Sequence, residues 1–196
     1  MRRFFIIISA AIVAAVLIRL IPFYYSCREL SDDVLRVHII ADSNSAADQS
    51  LKLAVRDRIV NDCASYYDDC DDKLSALRIT RAHLHEIEDI ARDEIRSRGF
   101  DYPVSAVVSE SYFNTRYYDS FTMPAGWYDA LRLTIGSGKG DNWWCVMYPT
   151  LCVGAACDDK MQDSLNDGEY RVVTSDQLDF RFRIVELFED FINWFR

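Results

Sequence analysis

The chain has 196 residues, half of them hydrophobic, with 31 acidic and 22 basic side chains and a formal net charge of −9. Residues 1–26 hold three arginines and no acid, so the remainder carries −12. That balance repels nucleic acid and anionic lipid surfaces, excludes a nucleic-acid-binding role, and leaves a length suited to one domain with a real core.

The N-terminus, MRRFFIIISAAIVAAVLIRLIPFYYSC, opens on Arg2 and Arg3 and continues as an uncharged apolar run from Phe4 to Ile18. This is the pattern of an export signal. The run is short for a spanning helix, which needs about 20 residues. Arg19 can snorkel, however, and Leu20 to Phe23 extend the run to Tyr24 and Tyr25, placed as an interfacial belt. No small-residue cleavage pattern stands near Tyr24, Tyr25 and Ser26. Residues 1–26 therefore read as a signal peptide or an uncleaved signal anchor, the latter meeting the membrane through residues 4–25. A buried helix is the third reading, and the run lacks the amphipathic period that it needs. In the first two readings the chain beyond residue 26 is exported.

Residues 27–33 read as a polar spacer. Val34 to Ile40 alternates and is β-branched, which predicts a strand. Ser45 is a good N-cap, and Asp48 completes a capping box for a helix reaching about Asn61. A second helix is expected from Asp72 to Arg98, stopped by Gly99. Strands follow at 104–113 and 127–135 around a Met123–Gly126 turn, with extended chain near 143–147. The C-terminal segment 183–196 is an amphipathic helix after a short alternating stretch at Phe180 and Phe182. Ile184, Leu187, Phe188, Phe191 and Phe195 share its apolar face, and Glu189 lies opposite. That face packs on the sheet or docks on a partner or membrane. The order predicts an α/β or α+β fold: a single domain over 34–196, its mixed β-sheet packed by helices, behind the N-terminal hydrophobic helix.

All six cysteines follow the signal segment, at 27, 63, 70, 145, 152 and 157. An even count in an exported chain permits disulfides without fixing their pairing. Cys145 and Cys152 are spaced to close a small loop. Cys63 and Cys70 pair or stay reduced. The acidic run around Cys70 is a solvated helix-start loop without the spacing of a calcium loop.

The stretch GSGKGDNWWCVMYPTLC, from Gly136 to Cys152, imitates a phosphate loop. The frame G-x-x-x-x-G-K-[ST] fails, because Leu133 stands at the first glycine and Gly140 follows Lys139. Its glycines are better explained by turns. His85 to Asp89 lacks the second histidine of a zinc-protease helix. No catalytic, cofactor-binding or metal-binding set is assembled. His38 shares a strand face with Arg36 and Ile40. It reads as a structural residue bonded to Asp42 or Asp48, as a contact residue, or as the base of a cysteine nucleophile. Trp143 and Trp144 are neighbours on extended chain, so they face opposite sides. One suits the core and the other a partner.

The run Leu35 to Asn44, with Asp48-Gln49, Leu51-Lys52 and Val55-Arg56-Asp57, resembles the N-terminal signature of the stage II sporulation protein R family. Thr115-Arg116-Tyr117, Pro124-Ala125-Gly126, Tyr128, Ala130-Leu131-Arg132, Ile135-Gly136 and the block Asn142-Trp143-Trp144-Cys145-Val146 with Pro149 and Leu151-Cys152 extend the likeness. It covers residues 34–153. Ala41-Asp42-Ser43-Asn44 exchanges amide and carboxylate relative to the family's Ala-Asn-Ser-Asp, and Asn114 and Thr150 replace prolines. The resemblance implies a non-enzymatic, cofactor-free signalling protein. It implies export from the forespore to the intermembrane space, secreted or membrane-anchored, and activation of a membrane-embedded aspartic protease of the mother cell. Processing of the sigma-E precursor follows. His38, Asp42, Ser43, Asn44, Asp48, Arg116, Trp143 and Trp144 are the expected partner contacts. The competing readings are an exported cysteine-dependent hydrolase or wall-modifying enzyme, and a structural protein of the spore envelope.

Overall fold

The computed structural model describes residues 2–118, 121–149, 165–175 and 180–195. Its elements are α1 (Arg2–Asp33), β1 (Leu35–Ile40), α2 (Ala46–Cys63), a 3-10 turn (Ala64–Tyr67), α3 (Lys73–Ala82) and α4 (Leu84–Ser97). There follow β2 (Val104–Phe113), β3 (Arg116–Tyr117), β4 (Thr122–Met123), β5 (Gly126–Ile135), β6 (Asn142–Tyr148), α5 (Asp167–Val173) and α6 (Phe180–Asn193). A mixed sheet packed by helices behind an apolar N-terminal helix is what the patterning predicts. The chain forms two compact units, one of Asp32–Ser111 with Trp127–Ser164, the other of Met1–Ser31, Tyr112–Gly126 and Leu165–Arg196.

The first unit holds the sheet, in the order β2-β5-β1-β6. Strand β1 runs parallel to β5 and antiparallel to β6. Side chains alternate across a strand, and Leu35, Val37 and Ile39 are each at most 1% exposed. They join Leu131 and Leu133 of β5, Leu51, Val55 and Ile59 of α2, Leu77 of α3, and Ile87 and Ile95 of α4 in one core. The helices of this unit therefore cover one sheet face, and α2 packs on α4. Ser45 caps α2, its Oγ accepting from the Asp48 amide at 3.1 Å. The second expected helix is two helices meeting at His83, whose ψ of 10° is not helical. The His83 ring lies 4.4 Å from that of Tyr66 and its Nδ1 pairs with Glu86 at 2.8 Å, which holds the break. Cys63 and Cys70 carry free thiols, which settles that alternative toward the reduced form.

The second unit is built around the far end of α1. Residues 27–33, expected as a spacer, continue this helix because Cys27 and Leu30, three residues apart, are 3% and 0% exposed. Helix α6 begins at Phe180, so the alternating stretch expected there is the first helical turn. Its buried side chains are Phe182, Val185 and Glu189. Phe182 meets Phe23 edge-on at 5.2 Å, and the Tyr24 hydroxyl donates to Glu189 at 3.1 Å. The apolar face expected to pack on the sheet or dock on a partner or membrane does not take the first course: Leu187, Phe188, Phe191 and Phe195 are all 47% exposed or more.

Ile39→Ala should cost about 2–5 kcal/mol through lost contacts and a residual cavity. Leu74→Ala, at a position 71% exposed, should change stability by no more than about 0.5 kcal/mol. Denaturant midpoints of the two variants check the contrast.

Candidate functional site

The loop after β1 and the loop between β5 and β6 clasp each other. Asp42 Oδ1 accepts from the Ser137 amide at 2.6 Å, and the Asp42 carbonyl accepts from the Ser137 hydroxyl and the Lys139 amide, each at 3.1 Å. Asn44 Oδ1 accepts from the Asp141 amide at 2.6 Å. The Gly140 amide donates to Ala41 O at 2.9 Å, the Gly138 amide to Ile135 O at 3.2 Å, and the Gly136 amide to Pro103 O at 2.7 Å. Every amide from Gly136 to Asp141 is thus spent within the chain, and a phosphate would find no backbone donors there. The glycines are needed for close approach. Gly136 has φ +59° and a Cβ on it would lie 2.1 Å from Asp42 Oδ1; one on Gly140 would lie 2.3 Å from the Ser43 carbonyl oxygen.

The same turn seats the start of α2. The Asp48 carboxylate takes the Ser43 hydroxyl in a short hydrogen bond rather than closing the expected capping box, and Ser43 Oγ accepts from the Ser45 amide at 3.1 Å. Hydrogen bonds from Ser43 and then Ser45 hold the Asp48 carboxyl below the usual carboxylate range. Lys52, 5% exposed, reaches Asp141 O at 3.0 Å and Gln49 Oε1 at 2.7 Å. The side chains of Asp42, Ser43, Asn44 and Asp48 are therefore engaged inside the turn.

The two tryptophans part as alternation predicts. Trp143 packs against the core under the helices, with the Arg56 guanidinium 5.1 Å above its ring. Trp144 lies on the opposite face, directly across from His38, and their rings stack at 5.6 Å and 25°. His38 Nε2 is 3.0 Å from Asn142 Oδ1, so its partner is this amide and not Asp42 or Asp48. His38 is also in register with Arg132 of β5. Arg132, His38 and Trp144 thus form one row across three strands, and Arg132 and Asn142 are exposed. At the buried end of the same face, Arg36 is 0% exposed, with its guanidinium 5.0 Å over the Tyr128 ring and its Nε donating to Cys145 O at 3.3 Å. The structure brings His38 and Trp144 together and sets Trp143 apart. Arg116 lies in the two-stranded sheet of the other unit. Arg132 was missed, and the clue was its parity with His38 once β5 pairs with β1.

Cys145 is buried and disulfide-bonded. Cys152 and Cys157, and with them the small-loop expectation, lie outside the described residues. Burial, reinforced by Asp62 and Glu86, pushes the Cys63 thiol up to about 12, and burial with the neighbouring aspartates raises Cys70.

The fold is that of a mixed α/β protein with an apolar N-terminal helix, and one sheet face carries the His38–Trp144 stack. The chain belongs to the stage II sporulation protein R family, which matches residues 31–158. It is 35% identical over 123 residues to the stage II sporulation protein R of Bacillus subtilis (strain 168), a match covering 63% of this chain and 55% of the relative. The match therefore spans little more than half the length of that relative. No solved structure matches the chain.

Gly140→Ala should destabilise by about 1–3 kcal/mol, since the added methyl meets backbone. Gly99→Ala, at φ +82° in open space, should show only the strain of its backbone. Thermal midpoints of the two separate clash from strain. Asp48→Asn should lower stability at neutral pH. The folded Asp48 pKa is depressed, so its contribution is complete above the unfolded value of about 3.9 and fades as pH falls through the folded value. The deficit of the variant, followed by urea midpoints from pH 7 downward, should close only below about pH 4.

Proposed function

We propose that this protein is an exported sporulation signal that activates a membrane-embedded aspartic protease and so triggers processing of the sigma-E precursor in the mother cell. The observation that carries the reading is the Arg132–His38–Trp144 row, set on the sheet face away from the unit's helices. A stacked tryptophan with an exposed arginine beside it is the anchor chemistry of protein interfaces. An activator of this kind works by binding the active receptor conformation more tightly than the inactive one. Family membership supports a role in stage II of sporulation. The N-terminal helix is long and apolar enough to cross a membrane, which agrees with export from the forespore and display in the intermembrane space. The remaining half of the proposal is that Cys152 closes the disulfide of Cys145. This would staple the chain directly after β6 and contribute about 2–3 kcal/mol in the chain-entropy account.

The cysteine-hydrolase reading is disfavoured. A nucleophilic cysteine needs a lowered pKa and access, whereas the thiols of Cys63 and Cys70 are both raised and Cys145 is bonded. A non-enzymatic role follows from the proposal.

Co-expression with the receptor protease and the sigma precursor in a non-sporulating host, scored for precursor cleavage, tests the function. Cleavage is expected only when all three are present. Trp144→Ala should abolish most cleavage while costing less stability than Trp143→Ala, since the Trp143 ring packs on the helix-side core. Trp143→Ala should cost about 3–5 kcal/mol of stability. A Trp144→Ala protein that signals normally removes this face from the interface.

A further inference from the structure

The end of α1 and the outward side of α6 form a second surface that the signalling role leaves unexplained. Phe180, Ile184, Leu187, Phe188, Phe191 and Phe195 follow helical spacing along one stripe. Each is at least 36% exposed, and Trp194 beside them is 79% exposed. The acids of α6 are engaged by polar partners: Glu186 pairs with Arg183 at 2.6 Å, Glu189 accepts from Tyr24 and Asp190 accepts from the Tyr112 hydroxyl at 3.2 Å. The stripe is continuous with the apolar helix. A cleft of about 370 Å³ is lined by Leu17, Leu20 and Ile21 of α1 together with Ile184, Val185 and Phe188 of α6.

Charge converges at the same level. A second cleft, of about 340 Å³, is lined by Arg19, Arg171 and Arg181 with Ser26 at its edge, and the Arg181 guanidinium lies 4.2 Å over the Phe23 ring. At 1.5 Å per residue, Phe4 to Tyr24 extends about 30 Å, the thickness of a bilayer core. Tyr24 then falls at the far headgroup layer, and Arg19, about 7 Å below it, reaches that layer by snorkelling, while Ile184 and Phe188 of α6 lie beside Leu17, Leu20 and Ile21 on the acyl-chain side of the boundary.

We infer that α1 is retained as an anchor and that α6 is a membrane-interface helix. Its stripe sits at the boundary of headgroups and acyl chains in the exported-side leaflet, and Arg19, Arg171 and Arg181 hold the phosphate of an anionic phospholipid. Retention follows from packing: cleavage near Ser26 would remove Phe23, 6% exposed and against Phe182, and Tyr24, the donor to Glu189. The occupant of the stripe is lipid, because the surface runs unbroken from the helix that enters the bilayer and meets cationic groups at phosphate depth.

The full chain reconstituted in nanodiscs tests this independently of precursor cleavage. The discs contain phosphatidylcholine with brominated acyl chains, with or without phosphatidylglycerol. Trp194 emission, taken as the difference between wild type and Trp194→Phe, should be quenched by bromine and shielded from aqueous acrylamide. Leu187→Ser with Phe191→Ser, both at exposed positions, should restore acrylamide access while circular dichroism stays unchanged. Phosphatidylglycerol should be retained through detergent extraction, withstand inorganic phosphate, and be lost from Arg171→Ala with Arg181→Ala. Free acrylamide access to Trp194 in the wild type overturns the docking. Shielding without bromine quenching overturns it in favour of a protein partner or a second copy. Equal phospholipid retention by the double arginine variant, or displacement by inorganic phosphate, overturns the headgroup site. An N-terminus beginning near residue 27 in the purified cellular protein overturns the retained anchor.

Discussion

Strand β1 is hydrogen-bonded along both edges, and the pleat of this one strand sorts the chemistry of the sheet unit. Leu35, Val37 and Ile39 go to the helices, and Arg36 and His38 go the other way. Register carries the sorting outward, so Leu131, Leu133 and Trp143 join the core while Arg132 and Trp144 join His38. A slip of one residue would exchange the faces and set Arg132 and Trp144 among the helices. Two things oppose that slip. One is the burial of the three apolar side chains of β1. The other is the clasp beyond the end of the strand, where Asp42 and Asn44 fix the opposing loop by its backbone amides.

The clasp also explains why this glycine-rich loop lacks the amide cradle of a phosphate loop. A phosphate cradle needs several amides pointing at one empty place. In this loop the amides point at Asp42, Asn44 and the backbone of Ala41, so the carboxylate of Asp42 occupies the place a ligand anion would take. Glycine is required at Gly136 by this same carboxylate, which stands where a Cβ would have to be. The composition that imitates nucleotide binding and the geometry that prevents it have one cause, which is the tight seating of one turn on another.

Local signals were legible and spatial assignments were less so. Ser45 announced its cap, the strand at Val104–Phe113 showed its bounds, and adjacency alone placed Trp143 and Trp144 on opposite faces. It could not say which faced the core, because that depends on the pairing of Ile39 with Trp143, a contact across about a hundred residues. The break at His83 was invisible because its cause, the ring of Tyr66, lies seventeen residues upstream. The partner of His38 was missed for a related reason: Asp42 and Asp48 are near in sequence, while Asn142 is near only once β6 pairs with β1. For helix α6 periodicity marked the apolar stripe and left open whether it packs on the sheet or docks elsewhere; Phe182, Val185 and Glu189 are the buried side chains, and the stripe is exposed.

The inferred lipid contact of that stripe has to be squared with the charge of the chain. A net −12 beyond residue 26 predicts repulsion from anionic surfaces, yet net charge is a property felt at distance, and within a Debye length of about 10 Å local charge decides. On α6 the acids are engaged by Arg183, Tyr24 and Tyr112, which leaves its outer stripe free of carboxylates. One arginine each from α1, α5 and α6, Arg19, Arg171 and Arg181, lines a shared cleft. Under the inferred anchoring, local charge at the headgroup layer outweighs a net charge spread over the whole exported part.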